Sequence, residues 1–228
     1  MTHEISGAIE DVRNRIERAC KRAGRDPSSV RLVAVSKGHS EQVIRAGYAL
    51  GLRVFGENYA QELAAKASAL RDLTEIRWRF IGHLQRNKIK LIEHARATVD
   101  TVDSVRLAEA LSSRAAERAH DLEVLLQVNV AGEAQKSGCE PAEVPKLVEA
   151  VQRMPNLELR GLMTVAPHLE DVEATRPFFA KLRELACAHG LPELSMGMTH
   201  DLEQAVEEGS TMLRIGTAIF GPRPPSHH

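Results

Sequence analysis

Lys37 is the residue whose position in this sequence most directly predicts chemistry. It ends the stretch R-L-V-A-V-S-K, whose four consecutive apolar residues predict a strand buried on both faces of a parallel sheet. Desolvation disfavours an ammonium ion, so a lysine buried at such a place has a lowered pKa. The neutral amine is a nucleophile toward aldehydes, which is Schiff-base chemistry. The alternative is that Lys37 only ends the strand and points to solvent, and position alone leaves both interpretations open.

Two later segments carry small and hydroxyl residues that suit a phosphate group. They read S-M-G-M-T from Ser195 and R-I-G-T-A from Arg214, and each lies at the end of a predicted strand. Backbone N–H groups can point at an anion there, and glycine allows close approach. R-I-G-T by itself is a weak signal, because a glycine after a strand is more often only a turn. Together with Lys37, these segments predict a ligand with an aldehyde and a phosphate, of which pyridoxal phosphate is the commonest in proteins.

The elements that must position these residues alternate between strands and helices. Strands are predicted over residues 31–37, 52–55, 77–81, 98–102, 123–130, 157–165, 194–196 and 212–215. Helices are predicted over residues 4–23, 40–50, 57–70, a segment ending at 94, 104–120, 141–154, 171–189 and 201–208. This rhythm predicts the α/β class and a (β/α)8 barrel of the TIM type, with the N-terminal helix in the place normally taken by the helix after the eighth strand. The rival fold is an open doubly wound sheet, but G-x-G-x-x-G does not follow the first strand.

Composition indicates a globular protein of one domain. The 228 residues are 43% hydrophobic and 27% charged, and no break in composition divides them. We expect one domain over residues 1–228, with an N-terminal helix within 1–24 and a tail over 222–228. A net charge of -1 argues against a general nucleic-acid or anionic-membrane surface. A membrane span and a signal peptide are both absent from the sequence, so we expect a cytoplasmic protein.

Cysteine and histidine spacing gives no sign of a metal site or a disulfide framework. The three cysteines, Cys20, Cys139 and Cys187, are widely spaced and contain no C-x-x-C pair. The ten histidines contain no H-E-x-x-H or comparable ligand spacing. We therefore expect free thiols and no bound metal.

Barrel enzymes place their functional residues at the carboxyl ends of the strands. The residues predicted there are Lys37, Asn58, Tyr59, His83, Asn129, Met163, Ser195, Gly197, Arg214, Gly216 and Thr217. His83 could contact a cofactor or only cap a strand, and Tyr59 and Met163 could line a pocket or only fill the core. Glu57 is interpreted as a charge at a helix N-terminus, where the macrodipole favours a carboxylate.

Seven segments closely resemble the pyridoxal-phosphate homeostasis protein family. They are V-A-V-S-K, V-F-G-E-N-Y-A-Q-E, W-R-F-I-G-H-L-Q-R-N-K, V-N-V-A-G-E-A-Q-K-S-G, L-R-G-L-M-T, L-S-M-G-M-T-H-D-L-E and G-S-T-M-L-R-I-G-T-A-I-F-G, between about residues 30 and 221. The resemblance implies a barrel similar to the N-terminal domain of fold-type III alanine racemases. It also implies a carrier or regulator of pyridoxal phosphate without an established catalytic activity.

The resemblance further implies roles for individual residues. Lys37 would hold pyridoxal phosphate as an internal aldimine, Arg214 would approach the pyridine nitrogen, and the phosphate would be held by Ser195, Gly216 and Thr217. We add Asn58, His83, Met163 and Gly197 to the cofactor-binding residues, because they stand at strand ends within matching segments. We predict no catalytic residue and no metal ligand.

Two lysines test how far this resemblance extends. One form of the family motif reads S-K-T-K, whereas Gly38 and His39 follow Lys37 here. A role of that second family lysine cannot be transferred to this chain. Lys136 matches a family lysine, although a solvated loop charge is an equally good interpretation.

Three classes of function remain open. A carrier of pyridoxal phosphate would pass it to amino acids or apo-enzymes, and we expect it to be a monomer. An amino-acid racemase needs a second acid-base group, which alanine racemases take from an added C-terminal β domain; we expect this chain to lack one. A Schiff-base aldolase would need acid-base carboxylates at the barrel mouth, and we find no convincing pair in the sequence. An arginine at the pyridine nitrogen favours the carrier, because it disfavours ring protonation and weakens the electron sink.

Overall fold

Eight parallel strands close into a barrel in chain order, in a computed structural model that describes residues 2–117, 121–133 and 135–223. The strands are β1 (Arg31–Val35), β2 (Val54–Glu57), β3 (Arg77–Phe80), β4 (Thr98–Val102), β5 (Leu122–Gln127), β6 (Leu157–Met163), β7 (Glu193–Ser195) and β8 (Met212–Ile215). The last strand pairs with the first, with Val33 beside Arg214 and Ala34 beside Ile215. The closed sheet confirms the predicted (β/α)8 barrel and excludes the open sheet.

Helices cover the outside of the barrel. They are α1 (Thr2–Arg22), α2 (Glu41–Ala49), α3 (Ala60–Ala69), α4 (Ile89–His94), α5 (Val105–Glu117), α6 (Val144–Gln152), α7 (Arg176–Ala188), α8 (Leu202–Glu207) and α9 (Thr217–Phe220). Helix α1 packs against α8 and α9 with an apolar face that includes Ile9 and Val12. Arg15 of α1 donates to both carboxylate oxygens of Glu203 at 2.7 Å. Because α9 is short, α1 covers the outside of the last strands, as predicted.

The two faces of each strand have different surroundings, because neighbouring side chains point to opposite sides of a sheet. Ala34 and Phe55 belong to the large core between strands and helices. Val33, Leu125, Met163 and Met212 form a separate buried cluster inside the barrel. The interior is therefore packed and is not a pore.

Charged residues also lie inside the barrel. Arg79 Nε donates to the two carboxylate oxygens of Asp100 at 3.0 and 2.9 Å. Both residues are almost completely buried, and Glu193 Oε2 lies 4.0 Å from Arg79 Nη2. Near the mouth, Arg214 is buried as well.

Three positions at strand ends differ from the sequence interpretation. Strand β1 ends at Val35, so Lys37 lies in the turn after the strand, and Asn129 likewise lies beyond β5. Glu57 does not begin a helix: it is the last residue of β2, and α3 begins at Ala60. The interpretation of Glu57 as a helix N-terminal charge is wrong, because its side chain is held inside the fold by hydrogen bonds that bend it away from solvent.

Some expectations concern residues outside the described part of the chain. These are residues 118–120 of the predicted helix over 104–120 and residues 224–228 of the predicted tail. Within the described residues, no helix is long and apolar enough to cross a membrane. The same residues contain no group of three or more histidine, cysteine or acidic side chains placed to bind a metal ion.

Candidate functional site

Lys37 lies in a turn at the carboxyl end of β1 and is partly buried. Burial lowers the pKa of its ammonium, and the charge of Arg223 lowers it further. Glu57 raises the pKa, and Arg214 on the neighbouring strand lowers it. The turn thus holds an amine whose neutral, nucleophilic form is favoured at a lower pH than in an exposed lysine.

Arg214 is fixed inside the barrel mouth by two hydrogen bonds. Its Nη1 donates to Ser195 Oγ at 2.9 Å, and its Nη2 donates to the Thr164 carbonyl at 2.7 Å. Burial lowers the pKa of Arg214 to about 10, whereas Asp100 and Asp201 act in the opposite direction. Ser195 is completely buried and accepts from Arg214, which leaves its own O–H hydrogen available for donation.

Gly216 and Thr217 lie directly beside the end of β1. A side chain at Gly216 would meet the Val35 carbonyl oxygen at 3.1 Å, so the chain after β8 approaches β1 closely. Thr217 is exposed and begins α9. Because β1 and β8 are paired, Lys37 and Thr217 belong to adjacent parts of the barrel mouth.

Gly197 and Met163 have clear packing roles. Gly197 has φ +93°, and a Cβ there would lie 2.4 Å from Ala205 Cβ. Its carbonyl accepts from the Arg214 backbone N–H at 3.0 Å. Met163 is buried in the cluster inside the barrel and packs below the mouth. The observed contacts of Gly197 and Met163 are packing contacts within the protein. Contact of either residue with a cofactor stays a prediction.

Asn58 and His83 follow β2 and β3, the two strands that come after β1 around the barrel. They line a cleft of about 210 Å³ together with Tyr59 and Lys88. Asn58 Oδ1 is buried and has no hydrogen-bond partner among the described residues. The His83 side chain is 62% exposed, with Nδ1 3.9 Å from Asp103 Oδ2. Tyr59 is 60% exposed, which excludes the core interpretation of that residue.

Lys136 also lies near the mouth, in the loop after β5. Its Nζ donates to Glu133 Oε1 at 3.0 Å and to the Ala166 carbonyl at 3.1 Å. These bonds hold the ammonium between two loops, so Lys136 is more than a solvated charge.

The sequence analysis missed several buried charged residues around the site, namely the network of Glu57 with Lys66 and the pair of Arg79 with Asp100. Lys66 Nζ donates to Glu57 Oε1 at 2.7 Å, and both side chains are buried. A detectable signal was present, because F-G-E, W-R-F and V-D-T each place a charge within or at the end of an apolar strand. Gly82 was also missed: a Cβ there would lie 2.0 Å from the Asn58 carbonyl oxygen, so only glycine lets these two loops meet.

The donor set of the mouth fits pyridoxal phosphate. Lys37 supplies an amine of lowered pKa, Ser195 and Thr217 supply hydroxyl groups, and Arg214 supplies a fixed guanidinium. The unpartnered Asn58 Oδ1 leaves a buried acceptor at the same mouth. The fold and the site together therefore define a parallel barrel whose mouth carries the donor groups of a pyridoxal-phosphate site.

Comparison with known proteins identifies the family. A family model described as "Alanine racemase, N-terminal domain" matches residues 8–224. A "Pyridoxal phosphate homeostasis protein" of Pseudomonas aeruginosa is 47% identical over 221 residues, which cover 96% of each chain. The chain therefore belongs to the alanine racemase N-terminal domain family and, within it, to the pyridoxal phosphate homeostasis proteins, which confirms the resemblance seen in the sequence.

Solved structures agree with this assignment. A crystal structure described as that of "an unknown protein from Bifidobacterium adolescentis" has a TM-score of 0.90 and 40% identity, covering 96% of this chain and 95% of its own. PipY of Synechococcus elongatus, solved with pyridoxal phosphate bound, has a TM-score of 0.77 and 37% identity, covering 91% of this chain and 100% of its own.

Proposed function

We propose that this protein binds pyridoxal phosphate at the mouth of the barrel and serves in its homeostasis, with Lys37 as the residue of covalent attachment. The observation that carries the proposal is the pairing of β1 with β8, which brings the amine of Lys37 next to the buried guanidinium of Arg214. The bound cofactor in PipY and the name of the Pseudomonas aeruginosa relative support it.

Each chemical group of the cofactor has a matching group in the chain. Pyridoxal phosphate supplies an aldehyde that reacts with an amine and a ring that can accept electrons. Ser195, Gly216 and Thr217 hold the phosphate, with the glycine allowing the close approach that a side chain would block. Arg214 lies at the pyridine nitrogen.

Four further residues complete the proposed binding site. They are Asn58, His83, Met163 and Gly197. Asn58 and His83 line the cleft after β2 and β3, whereas Met163 and Gly197 shape the floor of the mouth through packing.

Binding, rather than catalysis, follows from the charge of Arg214. A guanidinium beside the pyridine nitrogen opposes protonation of the ring, and an unprotonated ring stabilises carbanions poorly. The residues of the mouth therefore hold the cofactor without activating it strongly. The names of the curated relatives describe a homeostasis protein and agree with this reading.

The proposal extends to the form in which the protein acts. Amino acids or apo-enzymes would receive the cofactor at the mouth, where Tyr59 and Met198 expose apolar surface. We further propose one domain over residues 1–228, acting as a monomer in the cytoplasm. Free thiols at Cys20, Cys139 and Cys187 suit a reducing compartment.

Borohydride trapping tests the attachment residue. The purified protein should show an absorbance band of bound cofactor that borohydride bleaches, leaving a stable adduct on the peptide that contains Lys37. Lys37→Ala should abolish the adduct and keep the fold, because this side chain lies in a turn and contributes little to the core. Formation of the adduct should also reach its full rate at a lower pH than with free lysine, because burial lowers the pKa of Lys37.

Lys136→Ala is the matched control, since it removes another partly buried lysine near the same mouth. It should leave the adduct in place. An adduct that survives Lys37→Ala on another lysine would disprove the assignment. Rapid racemisation of amino acids by the wild-type protein would instead show that the cofactor is activated and that the protein is an enzyme.

A further inference from the structure

Charged side chains bind the backbone on both sides of Lys37. Lys66 Nζ donates to the Ser36 carbonyl at 2.7 Å, and Glu62 Oε1 accepts from the Gly38 N–H at 2.6 Å. Both side chains come from α3, which packs outside the barrel. The position of Lys37 relative to the mouth is therefore set by α3 and not by the turn alone.

All three hydrogen-bond donors of the Lys66 ammonium are used within the protein. Besides the Ser36 carbonyl, its ammonium donates to Glu57 Oε1 and to Glu62 Oε1, each at 2.7 Å. An ammonium has three hydrogens to donate, so none is left for a ligand. Only 7% of the side chain is exposed. We call Glu57, Glu62 and Lys66 the clamp.

Glu57 is the member of the clamp that has a free polar atom. Its side chain is completely buried, and Oε1 accepts from Ser36 Oγ at 2.6 Å and from Lys66 Nζ at 2.7 Å. Oε2 is also buried but has no hydrogen-bond partner among the described residues. Leaving a buried carboxylate oxygen without a donor is costly, so an unpartnered one calls for an explanation.

We propose that Glu57 is a positioning residue for Lys37: the clamp fixes the backbone on either side of the lysine, and the buried carboxyl of Glu57, on the strand paired with β1, favours the charged form of the Lys37 amine. This inference deepens the proposed function, since it concerns the lysine to which the cofactor is attached.

The charges around Lys37 show why such a group is needed. Burial, Arg223 and Arg214 all lower the pKa of Lys37, whereas Glu57 and Glu62 raise it, with Glu57 having the larger effect of the two. Burial raises the pKa of Glu57 itself, whereas Lys66 and Ser36 act in the opposite direction, so the contact with Lys66 favours a charged Glu57 beside Lys37. With Glu57 the Lys37 amine can give up a proton to become a nucleophile and can take one back when the bond to an aldehyde is broken.

Measuring the protonation of Lys37 directly tests this without using the cofactor. The full-length protein, freed of bound aldehyde with hydroxylamine, is labelled with trace acetic anhydride at a series of pH values, and labelling of the Lys37 peptide is quantified by mass spectrometry. Glu57→Gln should lower the midpoint of labelling by about one pH unit or more, because it removes the main nearby anion at nearly constant volume. Glu62→Gln should lower it less. The exposed Lys146 on α6 provides an internal standard whose labelling should be the same in every variant.

A second measurement follows the titration of Glu57 when Lys37 is replaced. It keeps all three clamp residues, so it can be made even if the clamp variants do not fold. If Glu57 stabilises the charged form of Lys37, that charge stabilises the Glu57 carboxylate equally. In Lys37→Met, Glu57 should therefore titrate at a higher pH than in the wild type, as followed by ¹³C NMR of its carboxyl carbon.

Two results would overturn the inference: an unchanged midpoint in Glu57→Gln, or an unchanged Glu57 titration in Lys37→Met. Neither of them depends on pyridoxal phosphate. Failure of borohydride trapping would refute the proposed attachment residue and leave this inference standing, and the reverse also holds.

Discussion

Two lysines meet at the end of β1, and their hydrogen bonds decide which of them can react. Lys66 donates to three acceptors and is buried, so its ammonium is held permanently in place. Lys37 is partly buried, and burial lowers its pKa. The same side-chain chemistry therefore gives a fixed cation in one case and a nucleophile in the other.

Thr217 allows the phosphate contact to be tested residue by residue. In a Lys37→Ala background the cofactor can bind only reversibly, and Thr217→Val then removes one hydroxyl donor at nearly constant volume. A hydrogen bond to a charged group contributes about 1.5 to 3 kcal/mol, so affinity for pyridoxal phosphate should fall about tenfold to a hundredfold. Titrations with pyridoxal phosphate and with pyridoxal give the two affinities.

Pyridoxal lacks the phosphate, so its affinity should not change with Thr217→Val. Thr74→Val is a suitable control, because Thr74 is also exposed but precedes β3, at the opposite end of the barrel. Equal losses for both ligands, or no loss for either, would mean that Thr217 does not contact the phosphate.

At the scale of elements, the loop after β7 depends on the absence of a side chain at Gly197. This residue has φ +93°, and a Cβ would overlap Ala205 of α8 and Leu213 of β8. Gly197→Ala should therefore combine backbone strain of about 1 to 3 kcal/mol with overpacking of similar size. Denaturant unfolding should show a clear loss of stability, together with weaker cofactor binding, because the Gly197 carbonyl also holds the Arg214 backbone.

Gly190→Ala separates the two contributions. Gly190 has φ +65° at the end of α7, and a Cβ there would meet nothing within 4 Å. It should show the backbone cost alone and normal cofactor binding. If the two variants lose the same stability, the close packing around Gly197 contributes nothing.

The sequence predicts the order of the elements because each strand and helix has its own hydrophobic pattern. The predicted ranges of β4 and β8 agree with the structure to the residue. Strand ends are less predictable: β1 stops two residues before Lys37, because Ser36 turns inward and its hydroxyl binds Glu57. That contact joins residues from two strands, so no local pattern contains it.

In the candidate site, too, some residues are predictable from the sequence and others are not. Lys37, Ser195 and Arg214 are predictable, because strand ends in a parallel barrel share one rim. Glu57 is not, since its role depends on Lys66, which reaches it from the following helix. From the sequence alone, Glu57 after Gly56 resembles the first charged residue of a helix. Only the position of Lys66 in the fold shows that Glu57 is a buried ion-pair partner.

At the scale of the whole molecule, the buried pair of Arg79 and Asp100 ties two strands together inside the barrel. Asp100 is completely buried and lies within 3.0 Å of Arg79. Asp100→Asn would leave the buried guanidinium with only the more distant Glu193 carboxylate, at 4.0 Å, and breaking a buried ion pair typically costs about 3 to 5 kcal/mol. The midpoint of urea unfolding should fall accordingly.

Asp72→Asn is the matched control at the surface. Asp72 also accepts two hydrogen bonds from an arginine, Arg45, but both side chains are largely exposed. Water replaces such a pair, so the loss should be much smaller. Similar losses in the two variants would show that the interior pair has no special part in holding the barrel closed.

The pairing of the first strand with the last has a consequence for protein synthesis. A nascent chain that has emerged only as far as β7 carries Lys37 but has neither Arg214 nor Thr217 beside it. Until β8 arrives from the ribosome, the lysine is an ordinary amine in an unfinished sheet, and the proposed site does not exist. The proposed site therefore forms only in molecules whose eighth strand is in place.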